Sequence, residues 1–171
     1  MIELRTISIL DEQMPECIAM RVTPEQEDFV ANNAISLAEA YDMNKARSVS
    51  GSDNIAVPYA VYQDGKMVGF AMYVYVPRCS DNDDDEPYDD EYPHYYIWRL
   101  FVDKNYQGKG IGREAVRQVT EIIKTKPCGE ANFCFSSYDP DNTASKATFA
   151  SCGYSEDGRV IGGEAVCKIN I

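Results

Sequence analysis

The sequence predicts a mixed α/β fold, on three observations. Short runs rich in Val, Tyr and Phe alternate with stretches of helical period. Two of those runs are joined by Asp64-Gly65. A third, ending near Asp103, enters a glycine-rich turn that opens an amphipathic helix. The predicted order is strand, two helices, hairpin, strand, helix, strand, helix, two strands. The chain has 171 residues and 44% hydrophobic content, which suits one domain over residues 1–171 with a single sizeable core.

Ile2-Glu3-Leu4-Arg5-Thr6 alternates and predicts a short strand. Helices are expected around Asp11–Met20 and Pro24–Ala40. In the second, Thr23 is the N-cap, Pro24 lies in the first turn, and Phe29, Asn33 and Leu37 share one face. Tyr59–Gln63 and Lys66–Val76 form a hairpin, because Asp-Gly suits both positive-φ positions of a type I′ turn. Tyr95–Asp103 is the next strand, and a helix follows from about Gly110 to Lys126. Its Ile111, Ala115, Val119 and Ile122 make an apolar stripe, and Pro127 stops it. Ala131–Ser137 is a strand, and Asp141–Cys152 a short helix closed by Gly153. Two last strands, near Tyr154–Ile161 and Ala165–Ile169, flank Gly162-Gly163.

The formal charge of −12 argues against nucleic acid, whose phosphates need a basic footprint, and favours a cationic partner. The start, MIELRTISIL, has neither a basic lead nor a long apolar run, and no stretch is long enough to span a bilayer; a cytoplasmic protein without membrane contact is expected. The six cysteines form no C-x-x-C pair and His94 is the only histidine, so no metal site is expected. The thiols read as small buried hydrophobes.

The junction carrying the most chemistry is Gln107-Gly108-Lys109-Gly110-Ile111-Gly112-Arg113. The first amides of a helix have no intrahelical partner, and the helix dipole places about half a positive charge there. Three glycines remove side chains that would hold a diphosphate away, while Lys109 and Arg113 add charge. A Walker loop is absent. A dinucleotide fingerprint starting at Gly110 would end on Ala115, but the surrounding elements are not a βαβ unit.

What remains is Q-x-x-G-x-G. With the preceding strand, Asp141-Asn142 before a helix, and the closing Cys152-Gly153-Tyr154, the chain resembles the GNAT superfamily of N-acetyltransferases over nearly its whole length. The resemblance implies a mostly antiparallel twisted sheet of six to seven strands flanked by about four helices, with acetyl-CoA as co-substrate. It further implies that the backbone of Phe101 and Val102 pairs with the pantetheine arm, that residues 107–113 hold the diphosphate, that Asn142 touches the pantetheine or thiol end, and that Lys146 meets a phosphate. The Val102 amide is implied as donor to the thioester oxygen.

The family's usual general acid falls on Phe149 and its usual base on Trp98. Neither side chain titrates, which leaves two readings. In one, another tyrosine supplies the proton, Tyr138 first and Tyr96 second, with the amine proton leaving through water to Glu91 or His94. In the other, the protein binds the cofactor without efficient turnover.

Eight acidic residues lie between Asp81 and Glu91, two thirds of the net charge. Asp83, Asp84 and Asp85, interleaved with Tyr88 and Tyr92 nearby, suit a small polycationic amine through summed attraction and cation–π contact. Within the superfamily, the stretch from Tyr95 to Arg113 and the Ser136–Asn142 segment look most like the bacterial spermine/spermidine acetyltransferases. An aminoglycoside, a protein amine, and a non-catalytic acyl-CoA- or polyamine-binding module remain as alternatives. The oligomeric state, a homodimer included, stays open.

Overall fold

A computed structural model describes residues 1–46, 53–78 and 91–171. Seven strands form one sheet: β1 (Ile2–Thr6), β2 (Ile55–Gln63), β3 (Lys66–Val76), β4 (His94–Val102), β5 (Phe133–Tyr138), β6 (Ser155–Ile161) and β7 (Glu164–Asn170). Their spatial order is β1-β2-β3-β4-β5-β7-β6. Every pairing is antiparallel except β4 with β5. Four α-helices flank the sheet: α1 (Met14–Ala19), α2 (Asn33–Ala46), α3 (Ile111–Lys124) and α4 (Thr143–Ser151). The expected mixed, mostly antiparallel architecture is what forms.

The interior strand β3 is buried along almost its whole length, so both of its faces need apolar cover. One face packs Tyr73, Tyr95 and Ile97 against Ile111, Ala115, Val119 and Ile123 of α3. The other packs Phe70, Met72 and Phe101 against Cys17 of α1 and Leu37 and Ala40 of α2. The hairpin turn has Asp64 at φ 51° and Gly65 at φ 80°, as a type I′ turn requires. The stripe of α3 forms as expected at Ile111, Ala115 and Val119, but its last member is Ile123, which is fully buried, with Ile122 only partly so. Cys17, Cys134 and Cys167 are buried thiols.

Two expected helices are corrected. The first is shorter, Met14–Ala19 in place of Asp11–Met20. The second divides into a single 3₁₀ turn, Pro24–Gln26, and α2 from Asn33. Two starts compete within one stretch. Thr23 and Gln26 form a capping box on the 3₁₀ turn. Asn32 then starts a second helix, its Oδ1 accepting from the Ile35 amide at 3.0 Å. The break between them turns residues 26–31 toward the open side of the sheet.

Two departures from regular pairing shape that side. Met72 faces Arg99 and Tyr73 faces Ile97, so Trp98 is an extra residue that bulges β4. The parallel pairing of β4 with β5 is confined to Tyr95 with Cys134 and Tyr96 with Phe135. Beyond it the Ser136 hydroxyl bonds the Ile97 carbonyl at 2.9 Å, and the strands part. The fork so made runs from Tyr96 toward the start of α3.

Candidate active site

A cleft of about 650 Å³ fills the fork. Its walls are β4 at Tyr96–Leu100 and Val102, the turn and first residues of α3, Ser136–Tyr138 of β5, one side of α4, and the 26–31 segment. Glu164, at the start of β7, closes the lower end.

At the upper end the backbone makes the site. Asp103 is buried and accepts from the amides of Arg21 and Asn105 and from the Asn105 side chain. Burial alone would raise its carboxyl, but these donors outweigh it and hold it below the usual range. They fix the turn that leaves β4. Gln107 donates to the Val102 carbonyl at 2.9 Å and to the Gln26 side chain at 2.7 Å, tying the turn to the opposite wall. Gly108 and Gly110 take φ of 73° and 75°, where a side chain would be strained.

Gly110 is the N-cap of α3 and gives it no side-chain cap. The first bond of the helical ladder is from the Glu114 amide to the Gly110 carbonyl, at 3.1 Å. The amides of Ile111, Gly112 and Arg113 therefore have no intrahelical acceptor, and their residues line the cleft. A Cβ built on Gly108 or Gly110 meets nothing within 4 Å, so the turn is open at these two residues. Arg113 is exposed on the rim. Lys109 donates to the Asn105 carbonyl at 3.2 Å, beside the Tyr106 ring. These features fit a diphosphate.

Along β4 the ladder decides which groups can take a strand-like ligand. The Asp103 amide bonds Val68 of β3 at 2.9 Å. Alternation then turns the backbone of Phe101 toward β3, and that of Leu100 and Val102 toward the cleft. The expectation for Phe101 is thereby corrected to Leu100; that for Val102 keeps its geometry. Asn142 lines the cleft and caps α4, its Oδ1 accepting from the Ser145 amide at 3.0 Å. Lys146 is not among the lining residues. It pairs with Glu156 at 2.8 Å, so the structure does not bring its ammonium to the cleft.

The lower end holds the titratable groups. Tyr138 is buried, stacks on Phe149 at 6.1 Å between centroids, and donates to Glu156 at 3.0 Å. Burial and then the Glu156 hydrogen bond push its pKa up, so it holds its proton at neutral pH. Tyr96 is half-buried, with its hydroxyl 2.6 Å from Ser137 Oγ; burial raises it to about 12. Ser137 donates in turn to Glu164. Sequence reasoning missed Ser137 and Glu164, which are ordinary residues on separate strands, and the 26–31 rim, which lay inside a predicted helix.

Three expected residues lie elsewhere. Glu91 bridges Lys168 at 2.5 Å and Arg159 at 2.8 Å, away from the lining. Burial alone would raise its carboxyl, but these two cations hold it below the usual value. His94 is buried and contacts the Glu91 carbonyl at 3.2 Å; burial lowers its pKa to about 4. Tyr92 packs against His94, with ring centroids 4.8 Å apart. Neither is brought to the cleft as base or substrate contact. Asp83, Asp84, Asp85 and Tyr88 lie outside the described residues.

Comparison with known proteins identifies the family and the fold. Residues 14–154 match the model of the acetyltransferase (GNAT) family. The spermine/spermidine N(1)-acetyltransferase of Bacillus subtilis (strain 168) is 24% identical over 125 residues, 70% of each chain. Among solved structures, the aminoglycoside acetyltransferase AAC(6')-Ib in complex with coenzyme A shares the fold, with a TM-score of 0.71 at 15% identity over 99% of this chain and 95% of that one. So does an N-acetyltransferase from Thermoplasma acidophilum in complex with coenzyme A, with a TM-score of 0.62 at 18% identity over 100% of this chain and 99% of that one. The chain belongs to the GNAT family and is an acetyl-CoA-dependent N-acetyltransferase.

Proposed function

We propose that the acceptor is a primary amine of a small polycation, a polyamine such as spermidine or spermine, acetylated directly while both substrates are bound. One observation carries the reading furthest: eight carboxylates lie in the eleven positions from Asp81 to Glu91, shortly before β4, the strand forming a wall of the cleft. Asp28 and Glu164 add acidic groups to the lining. The relative named for spermine and spermidine supports the same choice.

Acetyl-CoA would bring an activated thioester to the fork. The amides of Gly108–Arg113 hold its diphosphate, with Arg113 supplying formal charge. Leu100 and Val102 pair with the pantetheine arm, and the Val102 amide donates to the thioester oxygen as negative charge develops. Tyr138, protonated at neutral pH, gives its proton to sulfur and regains one from the attacking nitrogen, its hydroxyl exchanging Glu156 for sulfur in that step. Phe149 cannot do this but sets the plane of the Tyr138 ring.

The test is thiol release from acetyl-CoA with spermidine, spermine and kanamycin, alongside calorimetry of coenzyme A. Turnover of spermidine that falls steeply with salt, and a raised Michaelis constant on replacing Asp83, Asp84 and Asp85 together by Asn, are the expected results. Preference for kanamycin assigns an aminoglycoside acceptor, which a solved fold relative binds together with coenzyme A. An unchanged Michaelis constant removes the acidic segment from acceptor binding.

A further inference from the structure

The transferase reading leaves one proton without a route. A polyamine nitrogen is an ammonium at neutral pH, since simple alkylamines titrate near ~10. It must lose a proton before it can attack. Trp98 cannot accept it. Glu91 is held by Arg159 and Lys168, and His94 is buried away from the cleft.

One chain of groups does reach from the fork to solvent. Tyr96 is the last β4 residue paired with β5, at the point where the strands separate. Its hydroxyl is 2.6 Å from Ser137 Oγ. Ser137 donates to Glu164 Oε2, so the bond between Tyr96 and Ser137 runs from tyrosine to serine. All three residues line the cleft, and Glu164 is exposed. Donors and acceptors thus point one way, from a half-buried phenol to a carboxylate in water.

We propose that Tyr96, Ser137 and Glu164 form a proton relay that deprotonates the acceptor ammonium. This rests on the transferase reading above and supplies its missing base. Tyr96 oxygen takes a proton from the ammonium while its own passes to Ser137, and the serine proton passes to Glu164. The ammonium becomes an amine and the carboxylate a carboxylic acid, so net charge is conserved. The nitrogen then bonds to the acyl carbon as the carbon–sulfur bond breaks, and its surplus proton goes to sulfur by way of Tyr138. Glu164 returns its proton to water, and the chain is reset.

Tyr96 is a poor acid, raised to about 12 mainly by burial, so the phenol is always protonated and conducts without storing charge. Among the described residues, the titratable and polar groups facing it are Ser137 on β5, Glu164 and Cys167 on β7, and Arg99 on its own strand. The Cys167 thiol is itself pushed up to about 12 by burial and stays neutral. The Arg99 guanidinium is paired with Glu39 at 3.0 Å. Glu164 is therefore the acceptor among them. Tyr96 is the catalytic residue of the relay; Ser137 and Glu164 act through it.

The experiment uses the full chain with acetyl-CoA and spermidine, or kanamycin if that is the better acceptor. Glu164→Gln, Ser137→Ala and Tyr96→Phe should each lower kcat at pH 7 by about 10²-fold, at the lower end of general-base contributions. The Michaelis constant for acetyl-CoA should not move. The deficit should shrink as pH approaches that of the free amine, because solvent then does what the relay did. Ser137→Thr, which keeps the hydroxyl, should keep near wild-type kcat. Active wild type with unaltered kcat and pH profile in Glu164→Gln overturns the relay alone. Loss in Ser137→Thr equal to that in Ser137→Ala overturns it too, by assigning the serine a packing role. Wild type that binds coenzyme A yet releases no thiol with either amine overturns the transferase reading and the relay together.

Discussion

The two ends of the cleft are built from different materials. At the α3 end the proposed working groups are peptide amides, held by two positive-φ glycines, an uncapped helix start, and the Asp103 and Gln107 hydrogen bonds. At the fork end the proposed working groups are side chains: Tyr96 on β4, Ser137 and Tyr138 on β5 and Glu164 on β7, with Glu156 of β6 behind Tyr138. A backbone site is written in consecutive residues, because only certain sequences take that shape. A side-chain site is assembled by pairing of distant strands, and no local pattern announces it. The first is specified by conformation, the second by register.

That difference explains what could be read in advance. The hairpin at Asp64-Gly65, the strand into α3, and the order of strands and helices follow from local turn chemistry and periodicity. The glycine turn followed from the same logic. The 26–31 rim did not, because two valid helix starts, Thr23 and Asn32, lie in one amphipathic stretch. Whether the Phe101 backbone faced the cleft depended on the parity of the β3–β4 ladder, which a bulge at Trp98 resets. Lys146 and Glu91 have the right charge for a phosphate ligand and a base. Their ion pairs, with Glu156 on one side and with Arg159 and Lys168 on the other, join residues remote in sequence and could not be foreseen.

The sharpest way to break the contrast is to attack conformation where conformation is the ligand. Gly110→Val places a β-branched residue at φ 75°, a genuine outlier for such a side chain. The turn must refold locally, and the amides of residues 111–113 lose their aim. Calorimetry should show coenzyme A affinity falling by about 10²-fold or more, as several charge-assisted hydrogen bonds are lost together. The helix itself, buried through Ile111, Ala115 and Val119, should survive by circular dichroism. Undiminished affinity would place the diphosphate elsewhere.

At the fork end the equivalent lesion is chemical. Tyr138→Phe preserves the stack on Phe149 and removes one hydroxyl. Coenzyme A affinity should stay constant while kcat falls by about tenfold to 10²-fold, since a thiolate leaves readily and benefits less from a proton than an amine would. Unchanged kcat would reduce Tyr138 to a packing residue that holds Glu156.

The smallest effect separates two cations that sequence alone treats alike. Arg113 and Lys146 both sit in first turns of helices beside the cleft, and both were expected to meet phosphate. Arg113 is exposed on the lined rim, next to the open amides of α3. Lys146 reaches Glu156, which also accepts from Tyr138, so its charge is already neutralised nearby. Arg113→Ala should weaken coenzyme A binding by about fivefold at low salt, the scale of one exposed charge at a helix start, and the loss should fade as ions screen it. Lys146→Ala should leave that affinity alone and act on catalysis, because Glu156 without its cation holds the Tyr138 proton more tightly. A drop in kcat at constant coenzyme A affinity in Lys146→Ala, against the reverse in Arg113→Ala, would assign one cation to each end of the cleft. Equal losses of affinity in both variants would instead join them in one anion site and erase the distinction between the ends.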